Sequence, residues 1–227
     1  MNSDTSIEKV TLAIAKARRL VAWCNESHKQ LLEHAQKHDF DGVERNFVTI
    51  LLLLESVFEA LEFIYKRRRD LDLLRVLEET RQNDELINYV WQARVVAAHM
   101  PIVIYEPSIA HIKFEIVDKP LALSVVAKLG HPNNLDFPML LALYSSRNID
   151  ELSVKLRDGY VPSTEHASSL GVKLHEDMRS LALRDFVVKS KHYRAPDRHL
   201  GKPVIPSAIT VARSAIDYYQ AKVDELQ

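Results

Sequence analysis

Apolar residues recur every three or four positions in two long stretches near the start of the chain, which is the spacing of an amphipathic helix. The first stretch has one apolar stripe, formed by Val10, Ile14, Ala17, Val21, Cys24, Leu31 and Ala35. The second has another, formed by Phe47, Leu51, Leu54, Phe58, Leu61 and Tyr65. The dipeptide Asp41-Gly42 between them is typical of a turn. The pattern predicts an antiparallel helical hairpin over residues 6–78.

A third helix is predicted after Asn83-Asp84, because both residues are good N-caps, and its periodicity runs to about Ala98. From Pro101 to Val126 the residues change to β-branched, alternating runs. These runs, IVIYE, HIKFEIV and LSVVA, favour two or three short strands.

Helical periodicity returns in the C-terminal part of the chain. It is weak from Leu140 to Leu156, recurs from about Ser163 to Val188, and is clear after Ser207, which can cap a last helix. We therefore expect a mainly α-helical bundle with a small β-strand insertion after the third helix. The expected parts are a helical hairpin with the third helix (1–100), the strand insertion (101–130) and C-terminal helices that complete the bundle (131–227).

Composition and charge place few limits on function. The chain has 30 basic and 31 acidic residues, so its net charge of −1 neither demands nor excludes a polyanionic partner. One cysteine, Cys24, cannot pair within the chain, which favours a reducing, cytoplasmic compartment. Carboxylates at Glu55, Glu59 and Glu62 interrupt the most apolar window, so we expect a buried helix there and no membrane partner.

One cation breaks the helical pattern of the third predicted helix. Arg94 lies roughly 20° around the helix from Ile87 and roughly 40° from Val90, which places its guanidinium on an apolar flank. A charge in that position needs a partner. His99 lies on the polar side, about 140° around the helix and about 7.5 Å along it from Arg94. The two side chains are therefore placed to flank a cleft.

An arginine and a histidine separated by four residues at the end of a helix resemble the motif of the HEPN family. The sequence is also similar to HEPN-like bacterial proteins in the segments YVWQAR and HLGKP. The resemblance implies a helical bundle that dimerises through the motif helix. It also implies a metal-independent endoribonuclease acting on single-stranded RNA, as a toxin or phage-defence effector with an antitoxin protein as a further partner. In this chain Arg94 and His99 match the family's arginine and histidine.

The chemistry of these residue types agrees with that role. Cleavage of RNA without a metal or cofactor requires a group that titrates near neutrality, and His99 is the candidate general acid or base. It also requires a fixed cation for the charge that grows on the phosphate, which suits the guanidinium of Arg94. Asn88 and Gln92 share the polar side of the helix with His99. We expect them to orient its ring or to bind a phosphate oxygen.

Four consecutive cations end the second predicted helix. Lys66, Arg67 and Arg68, with Arg69, are candidates for binding the RNA backbone near Arg94. The alternative is that they complement the negative end of the helix dipole, since Asp70 and Asp72 follow directly. The second interpretation requires no ligand.

Other histidines indicate weaker alternatives. His34 and His38 have the spacing at which one helical face offers two nitrogens to zinc, but the sequence shows no third ligand, so we predict no metal site. HEDMR, beginning at His175, has Arg179 where a zincin has its second histidine. The segment from His199 to Lys202 offers a histidine, a lysine and backbone amides to an anion.

Three functions remain open from the sequence. The first is the HEPN-type ribonuclease. The second is a catalytically inert HEPN-like helical module that binds a partner protein or a nucleic acid. The third, which we rank last, is a metal or small-molecule enzyme that uses His34, His38 or other histidines. Products with 2′,3′-cyclic phosphate ends in the presence of EDTA distinguish the first from the other two.

Overall fold

The computed structural model describes residues 4–99, 104–118, 152–154, 164–169 and 171–226. The described part is mainly helical, which confirms the predicted class. The helices are α1 (Asp4–Gln36), α2 (Phe40–Arg68), α3 (Leu71–Asn83), α4 (Glu85–His99), α5 (Thr164–Ser169) and α6 (Ala208–Asp224). The strands are β1 (Tyr105–Ile116), β2 (Leu152–Val154), β3 (Val172–Leu183), β4 (Phe186–Val188), β5 (Lys191–Tyr193), β6 (Arg198–His199) and β7 (Lys202–Pro203).

The helical hairpin of α1 and α2 is present, but its turn precedes the predicted one. The chain reverses between Gln36 and Phe40, and the Oδ1 of Asp39 caps α2 by accepting from the backbone N–H of Gly42 at 3.0 Å. Gly42 therefore lies in the first turn of α2. A Cβ at this position would overlap with the imidazole of His34, so glycine is needed for packing rather than for a turn.

The predicted hairpin over residues 6–78 is too long, because α2 ends earlier and a separate helix follows. Arg69 closes α2 in a left-handed conformation (φ 62°), and α3 begins after Asp70. The sequence pattern did not separate α3 from α2. The helix predicted after Asp84 is confirmed as α4, and the Oδ1 of Asp84 accepts from the backbone N–H of Ile87 at 2.9 Å.

The strand insertion contains one long strand in its described part, where several short ones were predicted. β1 lies between β2 and β3 in an antiparallel sheet, with Tyr105 opposite Leu183 and Ile116 opposite Val172. The predicted strand LSVVA lies outside the described residues, as does most of the helix predicted over residues 140–156. The last part of that helix is wrong, because residues 152–154 form β2.

The helix predicted from about Ser163 to Val188 is wrong over most of its length. Of the residues described there, only Thr164–Ser169 form a helix, and Val172–Leu183 is the extended strand β3. Pairing with β1 along its full length supplies the backbone hydrogen bonds that a helix would otherwise make internally. This long-range pairing outweighs the local helical periodicity.

The core lies where α6 packs against α1 and α2 and where β3 meets these three helices. The predicted last helix is confirmed, and the hydroxyl of Ser207 caps it by accepting from the N–H of Thr210 at 3.2 Å. Cys24 is fully buried in this core, as predicted, and burial raises the pKa of its thiol to about 12. Among the described residues, no helix is both long and apolar enough to span a membrane.

Candidate functional site

Arg94, the cation that broke the sequence pattern, has its partner within the same chain. It extends from α4, and its Nη1 forms an ion pair with the Oε1 of Glu55 on α2. The two side chains are only 19% and 23% exposed, so water screens the pair weakly. The Nε of Arg94 is buried and has no hydrogen-bond partner among the described residues. The guanidinium therefore links two helices.

An aromatic ring lies against the same guanidinium and links it to a second cation. The ring of Trp91 lies 5.1 Å from the guanidinium carbon of Arg94 and 4.8 Å from that of Arg81 on α3. The ring of Phe58 on α2 lies 5.0 Å from the Trp91 ring and 4.6 Å from the guanidinium carbon of Arg81. Two cations, two rings and one carboxylate thus connect α2, α3 and α4 into one cluster.

His99 is the last residue of α4, so the motif residues share one helix as predicted. The side chain of His99 lies outside the described part of the chain. On α4, Trp91 contacts Phe58, and Arg94, three residues later, pairs with Glu55, which lies three residues earlier on α2. The helix α4 therefore runs antiparallel to α2. The end of α4, where His99 lies, is therefore nearer to the N-terminal half of α2 than to its C-terminal half.

The two amide residues on the motif helix are placed differently from each other. The Nδ2 of Asn88 donates to the backbone carbonyls of Arg81 (3.0 Å) and Gln82 (3.3 Å), so Asn88 closes the end of α3. These two hydrogen bonds use the amide nitrogen of Asn88, the residue that was expected to orient His99 or to bind a phosphate oxygen. Gln92 is half-buried on the following turn.

The basic cluster at the end of α2 is separated from the motif. Lys66 lies eleven residues beyond Glu55, which is about 16 Å along α2. This direction leads away from the half of α2 that is nearer to His99. Its Nζ forms an ion pair with Glu62 at 2.6 Å. Arg67 packs over the Phe63 ring at 5.4 Å, and Arg68 donates to the backbone carbonyl of Leu226 at 3.5 Å. The structure does not bring these three cations to the Arg94 site.

The histidines considered as alternative sites lie in different local structures. The Nδ1 of His34 lies 2.7 Å from the Oδ2 of Asp39, beside the cap of α2. His38 is exposed in the turn, and no group of three metal-binding side chains occurs in the part of the chain that the structure describes. His175 lies on strand β3, so HEDMR does not have the helical geometry of a zincin.

Asp84 binds two groups of the segment from His199 to Lys202 that the sequence offered to an anion. The Oδ1 of Asp84 lies 2.9 Å from the Nδ1 of His199, and its Oδ2 accepts from the N–H of Leu200 at 2.7 Å. Burial alone would raise the pKa of Asp84, but these hydrogen bonds and that of Ile87 outweigh it and lower the pKa. Asp84 thus joins the α3–α4 junction to the hairpin of β6 and β7.

The comparisons leave the family open. Comparison with protein-family models, with curated proteins and with solved structures found no match to this chain.

Sequence reasoning missed Glu55 and Arg81 as members of the cluster. Glu55 stands in a run of leucines just as Arg94 stands among apolar residues, so each has the signal of a charge on an apolar flank. Pairing two such signals of opposite sign would have suggested their contact.

Proposed function

We propose that this chain is a helical binding module in which Arg94 has a structural role. The observation that carries the proposal is the shielded ion pair between Arg94 and Glu55. A bidentate phosphate contact would have to displace Glu55 or accept its repulsion. In an environment with an effective dielectric constant of about 20, a phosphate about 5 Å from both groups gains about 3 kcal/mol from the cation and loses about the same to the carboxylate.

The partner of such a module is a protein or a nucleic acid. The HEPN-like bundle is part of the proposal, because the helical hairpin and the motif helix suit it. Formation of a homodimer through α4 also belongs to the proposal, since it would place two such helices together.

A HEPN-type ribonuclease is the second candidate, and one observation favours it. α4 remains helical to His99, so the arginine and the histidine lie on neighbouring turns at one end of the helix, and Arg94 keeps a fifth of its side-chain surface exposed. In this version Glu55 holds the guanidinium in position until RNA binds. The roles of toxin or phage-defence effector, and an antitoxin partner, go with this candidate.

One experiment separates the two candidates. Full-length protein and the variants Arg94→Met and His99→Ala are incubated with labelled single-stranded RNA in the presence of EDTA. The binding module predicts no cleavage by any of the three proteins and equal RNA affinity where RNA is bound. The ribonuclease predicts 2′,3′-cyclic phosphate ends that His99→Ala abolishes while the helical circular dichroism signal is unchanged. That second result overturns the binding-only proposal.

A further inference from the structure

Two β-hairpins in the C-terminal part of the chain concentrate positive charge in a short stretch of sequence. The hairpins β4–β5 and β6–β7 follow one another over residues 186–203, which include the segment KSKHYRAPDRHLGK, residues 189–202. It has five lysines and arginines against one aspartate, in a chain whose net charge is −1. The cations are Lys189, Lys191, Arg194, Arg198 and Lys202. We call this set the hairpin cations.

The hairpin cations are all exposed, and none forms an ion pair within the part of the chain that the structure describes. Lys191 contacts the ring of Tyr193, with 5.2 Å between its Nζ and the ring centroid. The cations at the end of α2 differ, because Lys66 is neutralised by Glu62 and Arg68 is bound to a backbone carbonyl. The hairpins therefore present a dense group of cations that no carboxylate in the described part of the chain neutralises in an ion pair.

The hairpins are fixed to the helical core, so their cations are held in a defined arrangement. Asp84 binds both His199 and the backbone of Leu200. Asp185 accepts from the N–H of Ala195 at 2.8 Å, and Tyr193 stacks on Phe186 with 5.4 Å between centroids. A surface that is ordered before binding loses less conformational entropy on association.

A pocket of 340 Å³ lies between the first hairpin and the start of α4. Lys191 and Arg194 line its rim, together with Tyr193, and the carboxyl groups of Glu85 and Asp197 also line it. Burial raises the pKa of Glu85, and so does a hydrogen bond in which its protonated carboxyl group donates to Asp197. Carboxyl groups repel a phosphate, but they are suitable acceptors for the amino groups on the edges of unpaired bases.

We propose that the two hairpins form a binding surface for a single-stranded nucleic acid. The hairpin cations contact successive phosphates, and the pocket takes one unstacked base, with Tyr193 beside it and Glu85 or Asp197 accepting from its amino group. The inference rests on the proposed function as a binding module and names its partner. The site is separate from Arg94, because Glu85 lies nine residues, about 13 Å, before Arg94 along α4.

The test measures the affinity of the full chain for a labelled twelve-nucleotide single strand by fluorescence anisotropy between 50 and 300 mM salt. The hairpin variant carries glutamine in place of all five hairpin cations. The matched control carries glutamine in place of five exposed cations on α1, namely Lys9, Lys16, Arg18, Arg19 and Lys29. Both variants change the net charge equally, so only the position of the lost charges differs.

We expect the hairpin variant to lose about 30-fold or more in affinity near 100 mM salt, and the control to stay within about threefold of wild type. About five phosphate contacts predict a log–log salt slope near −3.5 for wild type, and the hairpin variant should approach zero. A second variant, Glu85→Gln with Asp197→Asn, should change the preference among homopolymers because each amide replaces one acceptor oxygen of the carboxyl group with an N–H donor. RNA and DNA strands of the same sequence identify the sugar, and either one, bound through the hairpins, supports the inference.

Three results overturn the inference. The hairpin variant and the α1 control lose affinity equally, the hairpin variant loses no affinity, or a duplex is bound as tightly as the single strand. Absence of binding to any strand also overturns it, while the binding-module proposal then remains to be tested with a protein partner. Cleavage that depends on His99 overturns the proposed function instead. In that case a hairpin variant that no longer binds would still support this surface.

Discussion

The ion pair between Arg94 and Glu55 can be measured directly by a double-mutant cycle. Glu55→Gln keeps the shape of its side chain and removes the charge, and Arg94→Met keeps an aliphatic stem against the Trp91 ring. Each single change leaves one charge without its partner at a site only about one-fifth exposed. The cycle isolates the interaction energy, because packing changes common to single and double variants cancel.

The expected magnitude follows from the burial of the pair. Exposed pairs contribute about 0.2–1 kcal/mol, and removal of one partner from a fully buried pair costs about 3–5 kcal/mol. At about one-fifth exposure we expect each single variant to lose about 2 kcal/mol of unfolding free energy. The double variant should also lose only about 2 kcal/mol, because it leaves no orphaned charge. The coupling energy is then about 2 kcal/mol.

Urea unfolding followed by circular dichroism at neutral pH supplies the measurement, provided that the denaturant slope is unchanged among the variants. The control is the pair Arg75 and Glu79 on α3, whose side chains are 68% and 61% exposed. The Nε of Arg75 lies 3.9 Å from the Oε1 of Glu79. Its cycle, with the same replacements, should give less than about 0.5 kcal/mol. A coupling at Arg94 and Glu55 no larger than this control would refute the structural role of Arg94 and favour the ribonuclease.

Two further predictions concern the packing of α1. Gly42→Ala should lower the unfolding free energy by about 1–2 kcal/mol, although alanine normally stabilises a helix by up to about 1 kcal/mol, because its Cβ would overlap with His34. A second substitution, His34→Ala, should recover part of the loss, and an unchanged loss in that background would contradict the steric explanation. Burial lowers the pKa of His28, whose Nε2 lies 3.2 Å from the carbonyl of Ile209 beside Arg213 and Asp217. Because the unfolded chain takes up this proton first, stability is complete above the ordinary pKa range of histidine and should fall below it, by at most about 1.4 kcal/mol per pH unit. His28→Gln should flatten that slope, and an unchanged slope would assign the effect to other groups.

Elements with strong local signals were predictable from the sequence. The stripes of α1 and α2, the cap at Asp84 and the cap at Ser207 each rest on residues close together in the chain, so spacing alone identified them. β3 was not predictable in this way, because its extended conformation depends on pairing with β1, about 70 residues earlier. The boundary between α2 and α3 was missed because Arg69, an unusual residue for a left-handed position, closes α2.

The candidate site shows the same division. The sequence identified Arg94 as a charge on an apolar flank and required a partner for it. It did not identify Glu55 as that partner, because two residues 39 positions apart meet only if α4 packs antiparallel on α2 in one register. The expected use of Asn88 at the motif was likewise changed by its hydrogen bonds to the end of α3.

By itself the sequence determined which side chains need burial, capping or charge compensation, because these requirements follow from residue type and helical period. Only the tertiary structure decided how each requirement is met. Glu55 pairs with Arg94 and Asp84 with His199, each from a distant segment, whereas the hairpin cations form no ion pair in the described part of the chain. Long-range packing assigns partners because it brings together groups whose separation along the chain carries no signal of contact.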